Sequence, residues 1–375
     1  MKIAVNTRLL LKDKLEGIGV FTCETMKRMV KAHPEHTFYF IFDRNYDESF
    51  LFAENVKPIL TFPPARHHPY FWYIYFEYSI PYVLRKLKPD LFLSPDGWLT
   101  LRTEVPQVDV IHDLNFEYQN DFLKSKYRNY YVKYFPRFAR KAVRIATVSE
   151  FSKQDIHRYY DIPEEKIDVV YNGIGSHFLP LLSEERLDVR VQYAHGCDYF
   201  LFVSAIHKRK NLANILRAFD SFKENVDSDM KFLVVGERAG LQDELDEVLR
   251  SMQHAADVHF LGRLSVTELA RVMASAHALV YASLFEGFGI PILEAFAAET
   301  AVITSNVTSM PEVAGDAAIL VDPQSVEQLA GAMRQLWADE PFRQSLIAKG
   351  REQRTRFSWE QTADRLWQCV EKAML

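Results

Sequence analysis

Two glutamates, Glu286 and Glu294, bracket the segment Gly287-Phe288-Gly289-Ile290-Pro291-Ile292-Leu293, directly after the apolar run Ala278–Tyr281. Two glycines let such a loop tighten until its backbone approaches a ligand closely. A proline just beyond suits the first turn of a helix. The loop and the helix start then present free N–H groups to an anion. The flanking carboxylates are acceptors that suit sugar hydroxyls. The plainer alternative is that Glu294, in the first helical turn, only complements the helix dipole and the glycines only shape a turn.

A second group, His207-Lys208-Arg209-Lys210-Asn211, follows the apolar run Phe200–Val203. Cations at the carboxyl end of a strand and the start of a helix stand where phosphate is stabilised. A departing nucleoside diphosphate gains negative charge in the transition state, so fixed cations there lower the barrier. A solvated charged face is the bland alternative, and the position of the run argues against it.

Four further signals are weaker. Glu16-Gly17-Ile18-Gly19-Val20 follows the first strand but lacks the third glycine of a dinucleotide fingerprint, so an ordinary strand-to-helix loop remains open. His112-Asp113 closes the run Val108–Ile111, and a lone histidine is more often structural than functional. Asp227-Ser228-Asp229 tempts a metal reading, yet it precedes the run Phe232–Val235 and reads as a turn at the amino end of a strand. His67-His68 lacks partners at metal-ligand spacing. No metal and no cofactor are expected.

These residues need strands and helices to hold them. Strand candidates are Ile3–Val5, Phe38–Phe42, Leu91–Leu93, Val108–Ile111, Ile145–Val148 and Asp168–Tyr171. A second set comprises Phe200–Val203, Phe232–Val235, Val258–Leu261, Ala278–Tyr281, Val302–Ser305 and Ile319–Val321. Several are apolar on both faces, as in a buried parallel sheet. Stretches such as Asn211–Phe219 between them carry helical periodicity. The alternation predicts α/β architecture with two doubly wound, Rossmann-like parallel-sheet domains. The boundary is expected after Gly173, giving domains 1–173 and 174–357, with Ser176–Gly196 as a linker of weak periodicity. Phe62–Lys88 is dense in aromatics, from Phe71 through Tyr78, with Arg66, Arg85 and Lys86 nearby. It is read as a helix packed on the sheet, with a membrane-surface contact as the alternative.

The bulk properties agree with this. A chain of 375 residues exceeds one ordinary core of about 150 residues. Its formal net charge of -5 offers no basic field for nucleic acid. The start Met1–Asn6 reads as a strand rather than a signal peptide, and no apolar run is long enough to span a membrane. Three scattered cysteines suit a reducing compartment. A cytoplasmic protein is expected, with peripheral contact at the inner face of the membrane as a variant of that expectation.

Glu286 through Glu294 resembles the E-x7-E signature of retaining glycosyltransferases of the glycosyltransferase-4 kind, which have the two-domain GT-B fold. Thr147–Ser152, Val169–Gly173, Phe260–Gly262 and Met310–Asp316 look like blocks of that family, in family order, and Phe357-Ser358-Trp359-Glu360 looks like the start of its closing helix. The resemblance covers nearly the whole chain and is most specific over residues 199–322. It implies two domains facing a cleft, with the acceptor on the first, the donor on the second, and helix 358–375 packed back on the first.

It also implies roles. Glu294 would hold the donor ribose. Glu286, with Phe288, Gly289 and Ile290, would hold the donor sugar, and the backbone at Arg263 and Leu264 the nucleobase. Lys210 matches the phosphate-binding lysine. The family often has Gly-Arg-Leu where Ser204-Ala205-Ile206 stands, and Arg209 is expected to replace that arginine. Gly17 and Gly19 resemble the loop that faces the donor phosphates, and His112 the histidine beside the donor sugar. The family usually carries glycine and proline where Glu299 and Ala301 stand. The implied reaction moves a hexosyl unit, with retention, from a UDP- or GDP-sugar (GDP-mannose among them) to a glycan or lipid-linked acceptor. The alternatives are a nucleotide-sugar-binding subunit without turnover, or a phosphorylase or epimerase on the same fold.

Overall fold

A computed structural model describes residues 1–12, 14–65, 68–118, 122–237 and 242–375. Arg66 and His67 therefore lie outside the described residues. The chain forms two compact units, one of Met1–Gly173 with Ser358–Leu375, the other of Ile174–Phe357. Each holds one parallel sheet with helices on its faces, the α/β class expected from the alternation of apolar runs. Among the described residues no helix is long and apolar enough to cross a membrane.

The first unit has seven strands: β1 (Lys2–Asn6), β2 (Thr37–Phe42), β3 (Val56–Leu60), β4 (Leu91–Ser94), β5 (Gln107–Val110), β6 (Arg144–Thr147) and β7 (Ile167–Val169). Their order is β3-β2-β1-β4-β5-β6-β7, and all pairs are parallel. The order reverses between β1 and β4, where crossovers leave to opposite sides of the sheet. β4 and β5 are buried along their whole length; Leu91–Leu93 reads accordingly as a continuous apolar run, while β5 buries Gln107 and Asp109 among its valines. β3 was not expected from the sequence. Pro58 argues against a central strand, but β3 is the sheet edge, where a missing N–H is tolerated.

The aromatic segment is a run of helix, Pro69–Ile74 and Ile80–Leu87 around the wider turn Tyr75–Ser79. Its Trp72, Tyr75, Phe76, Ile80 and Leu84 are buried in the core beside Trp98, Tyr130 and Phe138. Phe62, Tyr70, Tyr78 and Tyr82 face outward. The closing helix Trp359–Lys372 packs on helix Gly17–Ala32, burying Trp359, Leu366, Trp367 and Val370. Thr362 Oγ1 donates to the Tyr171 carbonyl at 2.6 Å and Lys372 pairs with Asp168 at 2.6 Å.

The second unit has six strands: β8 (Tyr199–Val203), β9 (Lys231–Val235), β10 (Val258–Gly262), β11 (Ala278–Tyr281), β12 (Ala301–Ser305) and β13 (Ile319–Val321). The order β10-β9-β8-β11-β12-β13 reverses between β8 and β11. The expected linker is partly helix, Ser183–Ala194. Its Arg186 Nε donates to the Ala274 carbonyl at 2.7 Å, near the end of helix Val266–Ser275. The charges that hid its periodicity are thus used to cap a neighbour.

Candidate functional site

In an open parallel sheet the crevice for a ligand lies beyond the carboxyl ends of the strands, where their order reverses. In the second unit that point is flanked by the turn after β8 and the loop after β11. The β8 turn is a short helical turn, Lys208–Lys210, closed by Asn211 in the left-handed conformation, followed by helix Leu212–Asn225. Asn211 Nδ2 donates to the Ala282 carbonyl at 2.9 Å and the Pro323 carbonyl at 2.7 Å. Leu284 N donates to the Arg209 carbonyl at 2.8 Å. These bonds tie the basic turn to the β11 loop and fix where its side chains emerge.

Lys210 Nζ stands 2.6 Å from Glu286 Oε1 and donates to the Tyr281 hydroxyl at 2.9 Å. Arg209 Nη1 lies 3.1 Å from Glu286 Oε2 and donates to the Phe285 carbonyl at 2.7 Å. Each carboxylate oxygen therefore has its own cation. Burial pushes the Glu286 carboxyl up, but the charges of Lys210 and Arg209 outweigh it and bring it down to about 2. Burial, then the same two cations, push His207 down to about 4, so its ring is neutral near pH 7. Burial and the charge of Glu286 hold the Tyr281 phenol well above its usual range.

The loop from Glu286 to the helix Ile290–Ala297 is set from behind. Ser309 Oγ lies 2.9 Å from the Glu286 carbonyl and 3.0 Å from that of Phe288, and Glu286 N donates to Thr308 Oγ1 at 3.3 Å. Gly289 has φ +105°, a conformation that favours glycine, and a Cβ there would stand 3.1 Å from Ile292 Cδ1. Phe288 is buried against Phe357, with ring centroids 5.7 Å apart. Pro291 sits in the first helical turn. Glu294 is the fifth residue of this helix, at the start of the second turn rather than in the first. Its carboxyl is half-buried, and no hydrogen bond or ion pair reaches it among the described residues. Burial raises it to about 7.

Arg263 and Leu264 follow β10, two strands from β8, and the Arg263 side chain is exposed. Asp227–Asp229 precede β9 at the amino end of the sheet. Among the described residues no three His, Cys, Asp or Glu side chains are grouped as a metal would need.

In the first unit the residues after β1, β4 and β5 converge. Asp96 accepts from Asn6 Nδ2 at 2.8 Å and from Arg8 Nε at 2.5 Å. The Arg8 guanidinium lies 5.1 Å from the Trp98 ring centroid. Beside this network is a cavity of about 170 Å³, bordered by Ile18, Asp96, Trp98, His112, Asp113, Asn115, Phe116, Tyr131 and Phe135. His112 Nε2 stands 2.8 Å from the Pro95 carbonyl, which can only accept, so Nε2 carries the hydrogen and Nδ1 is left as an acceptor. Burial depresses the ring's pKa and keeps it neutral. Gly17 and Gly19 open helix Gly17–Ala32, and a Cβ on Gly19 would stand 2.9 Å from the Leu9 carbonyl oxygen.

The expected residues thus form two groups, one per unit. Arg209, Lys210, Glu286, Phe288, Gly289, Ile290 and Glu294 share the β8/β11 end of the second; Gly17, Gly19 and His112 share the first. Sequence reasoning missed Tyr281, Thr308, Ser309 and the Arg8–Asp96 pair. Tyr281 had one usable signal, a hydroxyl-bearing side chain on the last residue of a strand that ends in a glycine loop. Asn306-Val307-Thr308-Ser309 had another, a polar run at the carboxyl end of β12.

The sequence profile described as "Glycosyl transferases group 1" matches residues 185–353, and that of "Glycosyltransferase Family 4" matches 15–177. The chain is 27% identical over 362 residues to "O-antigen chain mannosyltransferase B" of Escherichia coli, covering 93% of this chain and 94% of that protein. Its fold is similar to that of sucrose-phosphate synthase from Thermosynechococcus elongatus, with a TM-score of 0.77 at 18% identity over 99% of this chain and 98% of that one. It is also similar to Anabaena Alr3699/HepE in complex with UDP and glucose, with a TM-score of 0.75 at 15% identity over 99% of each chain.

Proposed function

The chain belongs to the group 1 glycosyltransferases of the family 4 type, with the GT-B fold, and from that membership we propose that it transfers a hexosyl unit, with retained configuration, from a nucleoside diphosphate sugar to a glycan. The observation that carries this reading is the cluster of Lys210, Arg209 and Glu286 at the β8/β11 reversal, beside the glycine loop. Two buried cations suit a diphosphate whose charge grows as the sugar leaves. Glu286 suits the sugar hydroxyls and Glu294 the ribose. Phe288, Gly289 and Ile290 bring the loop backbone close to the donor, and Arg263 and Leu264 would meet the base. Arg209 takes the place of the family arginine absent at Ala205, since its guanidinium reaches the same carboxylate as Lys210.

In this reading the attacking hydroxyl enters on the face the diphosphate leaves, and a phosphate oxygen of the leaving group takes its proton. The enzyme's part is to orient the donor and hold that charge. In the first unit, Gly17, Gly19 and the neutral His112 hold the sugar and the incoming hydroxyl, with His112 Nδ1 as the acceptor. A mannosyl donor is favoured because the relative covered over nearly its full length is an O-antigen chain mannosyltransferase. A lipid-linked glycan on the cytoplasmic side of a membrane is the acceptor this suggests. The outward Tyr78 and Tyr82, beside exposed Arg85 and Lys86, would meet that surface.

The test is calorimetric binding of UDP, GDP and their sugars, followed by NMR of the product of the sugar that binds. Tight binding of one donor and an unchanged anomeric configuration are expected. No binding of either nucleotide, or an inverted product, would refute the reading.

A further inference from the structure

Each oxygen of Glu286 is held by a cation before any donor arrives. A carboxylate offers about four acceptor positions on two oxygens. Lys210 takes one oxygen at 2.6 Å and Arg209 approaches the other at 3.1 Å. The Tyr281 hydroxyl accepts from Lys210 at 2.9 Å and so helps to hold the ammonium there. The side chains of Lys210, Arg209 and Glu286 are only 10%, 18% and 8% exposed, so water does little to fill the gap if one of them moves. A cation pulled from such a buried pair must find another acceptor at once. Phosphate oxygens are acceptors of the same charge and kind.

We propose that Glu286 stands in for the donor's phosphate in the empty site, that the incoming diphosphate draws Lys210 away from it, and that the position Lys210 leaves on Glu286 is the one a hydroxyl of the attached sugar takes. Tyr281 is the positioning residue in this exchange. It is buried at the end of β11, and its hydroxyl holds Lys210 beside Glu286 until phosphate takes the ammonium. Phosphate and sugar are thereby recognised in sequence, and their binding is coupled reciprocally. The inference rests on the donor site assigned above and adds to it an order of events and a role for Tyr281.

The exchange predicts that removing the charge at Glu286 helps one part of the donor and harms another. Wild type, Glu286→Gln and Tyr281→Phe are titrated calorimetrically with UDP, GDP and their sugars, with melting curves alongside. Glu286→Gln should bind the preferred nucleoside diphosphate at least about fivefold more tightly than wild type, the lower end of common site coupling. In that variant the attached sugar should add nothing. Tyr281→Phe removes one of the acceptors that hold Lys210 in the empty site, so it should bind the nucleoside diphosphate about 2- to 12-fold more tightly than wild type, the equivalent of one hydrogen bond, and keep the tightening that the sugar adds. A crystal structure of wild type with the nucleoside diphosphate should show Lys210 on phosphate and out of hydrogen-bonding reach of Glu286.

Glu286→Gln binding the nucleoside diphosphate no more tightly would overturn the exchange, as would Lys210 still bonded to Glu286 in the complex. If Glu286→Gln does not fold, Tyr281→Phe and the crystal structure decide. Failure of wild type to bind any of these nucleotides would remove the donor-site reading and this inference with it; the other adverse results strike the inference alone.

Discussion

The two units share an architecture and put opposite chemistry at the same topological place. Where the strand order reverses in the second unit, two cations converge on one carboxylate, and the next helix carries a carboxyl with no partner among the described residues. In the first unit the charges are spent on each other. Arg8 and Asp96 close a network with Asn6, Asp113 accepts from Asn115, and beside these two carboxylates the cavity is bordered by a neutral histidine and four aromatic rings. A doubly wound sheet supplies the crevice; the residues after a few strands decide whether it answers to charge or to shape. If that contrast is functional, substitutions in the second unit should be large and electrostatic, and those in the first modest.

The largest effect is expected for Lys210→Ala. Loss of a fixed cation that stabilises developing charge should lower kcat by about 10²–10³ at saturating donor, as measured by steady-state rates. Lys210 does not line an open crevice but is buried against Glu286 and Tyr281. The variant should therefore also melt earlier than wild type, because it leaves a buried carboxylate short of a partner. Normal turnover would break the comparison on its charged side.

Glu294→Gln comes next. Losing a charged partner for ribose hydroxyls should weaken donor binding by about 1.5–3 kcal/mol in calorimetry with little change in kcat. Its carboxyl is raised to about 7, so the ionised acceptor is lost as pH falls below that value, and wild-type donor affinity should fall with it. Stability runs the other way. A folded-state pKa above the ordinary glutamate value means the folded protein holds a proton that the unfolded chain releases, so stability drops as pH rises toward 7. Glu294→Gln should therefore gain melting temperature over wild type at pH 8 and gain little at pH 4. A pH-independent difference would contradict this.

On the neutral side, His112→Phe removes one uncharged hydrogen-bond acceptor. Turnover should fall by about 2- to 12-fold, the kinetic equivalent of roughly 0.5–1.5 kcal/mol. A loss as large as that of Lys210→Ala would mean that the two sites do not divide the work as charge and shape. The smallest effect is a control within the second unit. Glu299 has φ +57°, a conformation few side chains favour, and pairs with Arg351 at 2.6 Å on the surface. Glu299→Gly should raise stability by about 0.5–1 kcal/mol in thermal unfolding, since strain relieved exceeds a half-exposed ion pair lost, with kcat unchanged.

Strands were legible where they are buried on both faces. β8 and β11 are apolar throughout, and β9 is apolar after Lys231, because helices cover both sides of the sheet. β3 escaped because an edge strand tolerates Pro58 and needs no continuous apolar run. Helix Ser183–Ala194 escaped because its arginines are used on a neighbour's carbonyls instead of marking a solvent face. At the site, the glutamate pair and the basic turn were visible as residue types at a spacing. That Glu286 is held by Lys210 and Arg209 was not, because residues about seventy-five positions apart meet only through the adjacency of β8 and β11. Tyr281 and Ser309 were legible only as hydroxyls at strand ends; that they reach Lys210 and the carbonyls of Glu286 and Phe288 was not, for the same reason.

The closing helix has a consequence in time. Ser358–Leu375 belongs to the first unit, so that unit is interrupted in sequence by all of the second. On a ribosome adding about 5–20 residues per second, the seat for Trp359, Leu366, Trp367 and Val370 stays open for on the order of ten seconds or longer after Gly173 is made. The second unit has its whole sequence available earlier and can close first. The half of the protein begun first is thus the half completed last, and its unfinished apolar seat is where a chaperone would find purchase during synthesis.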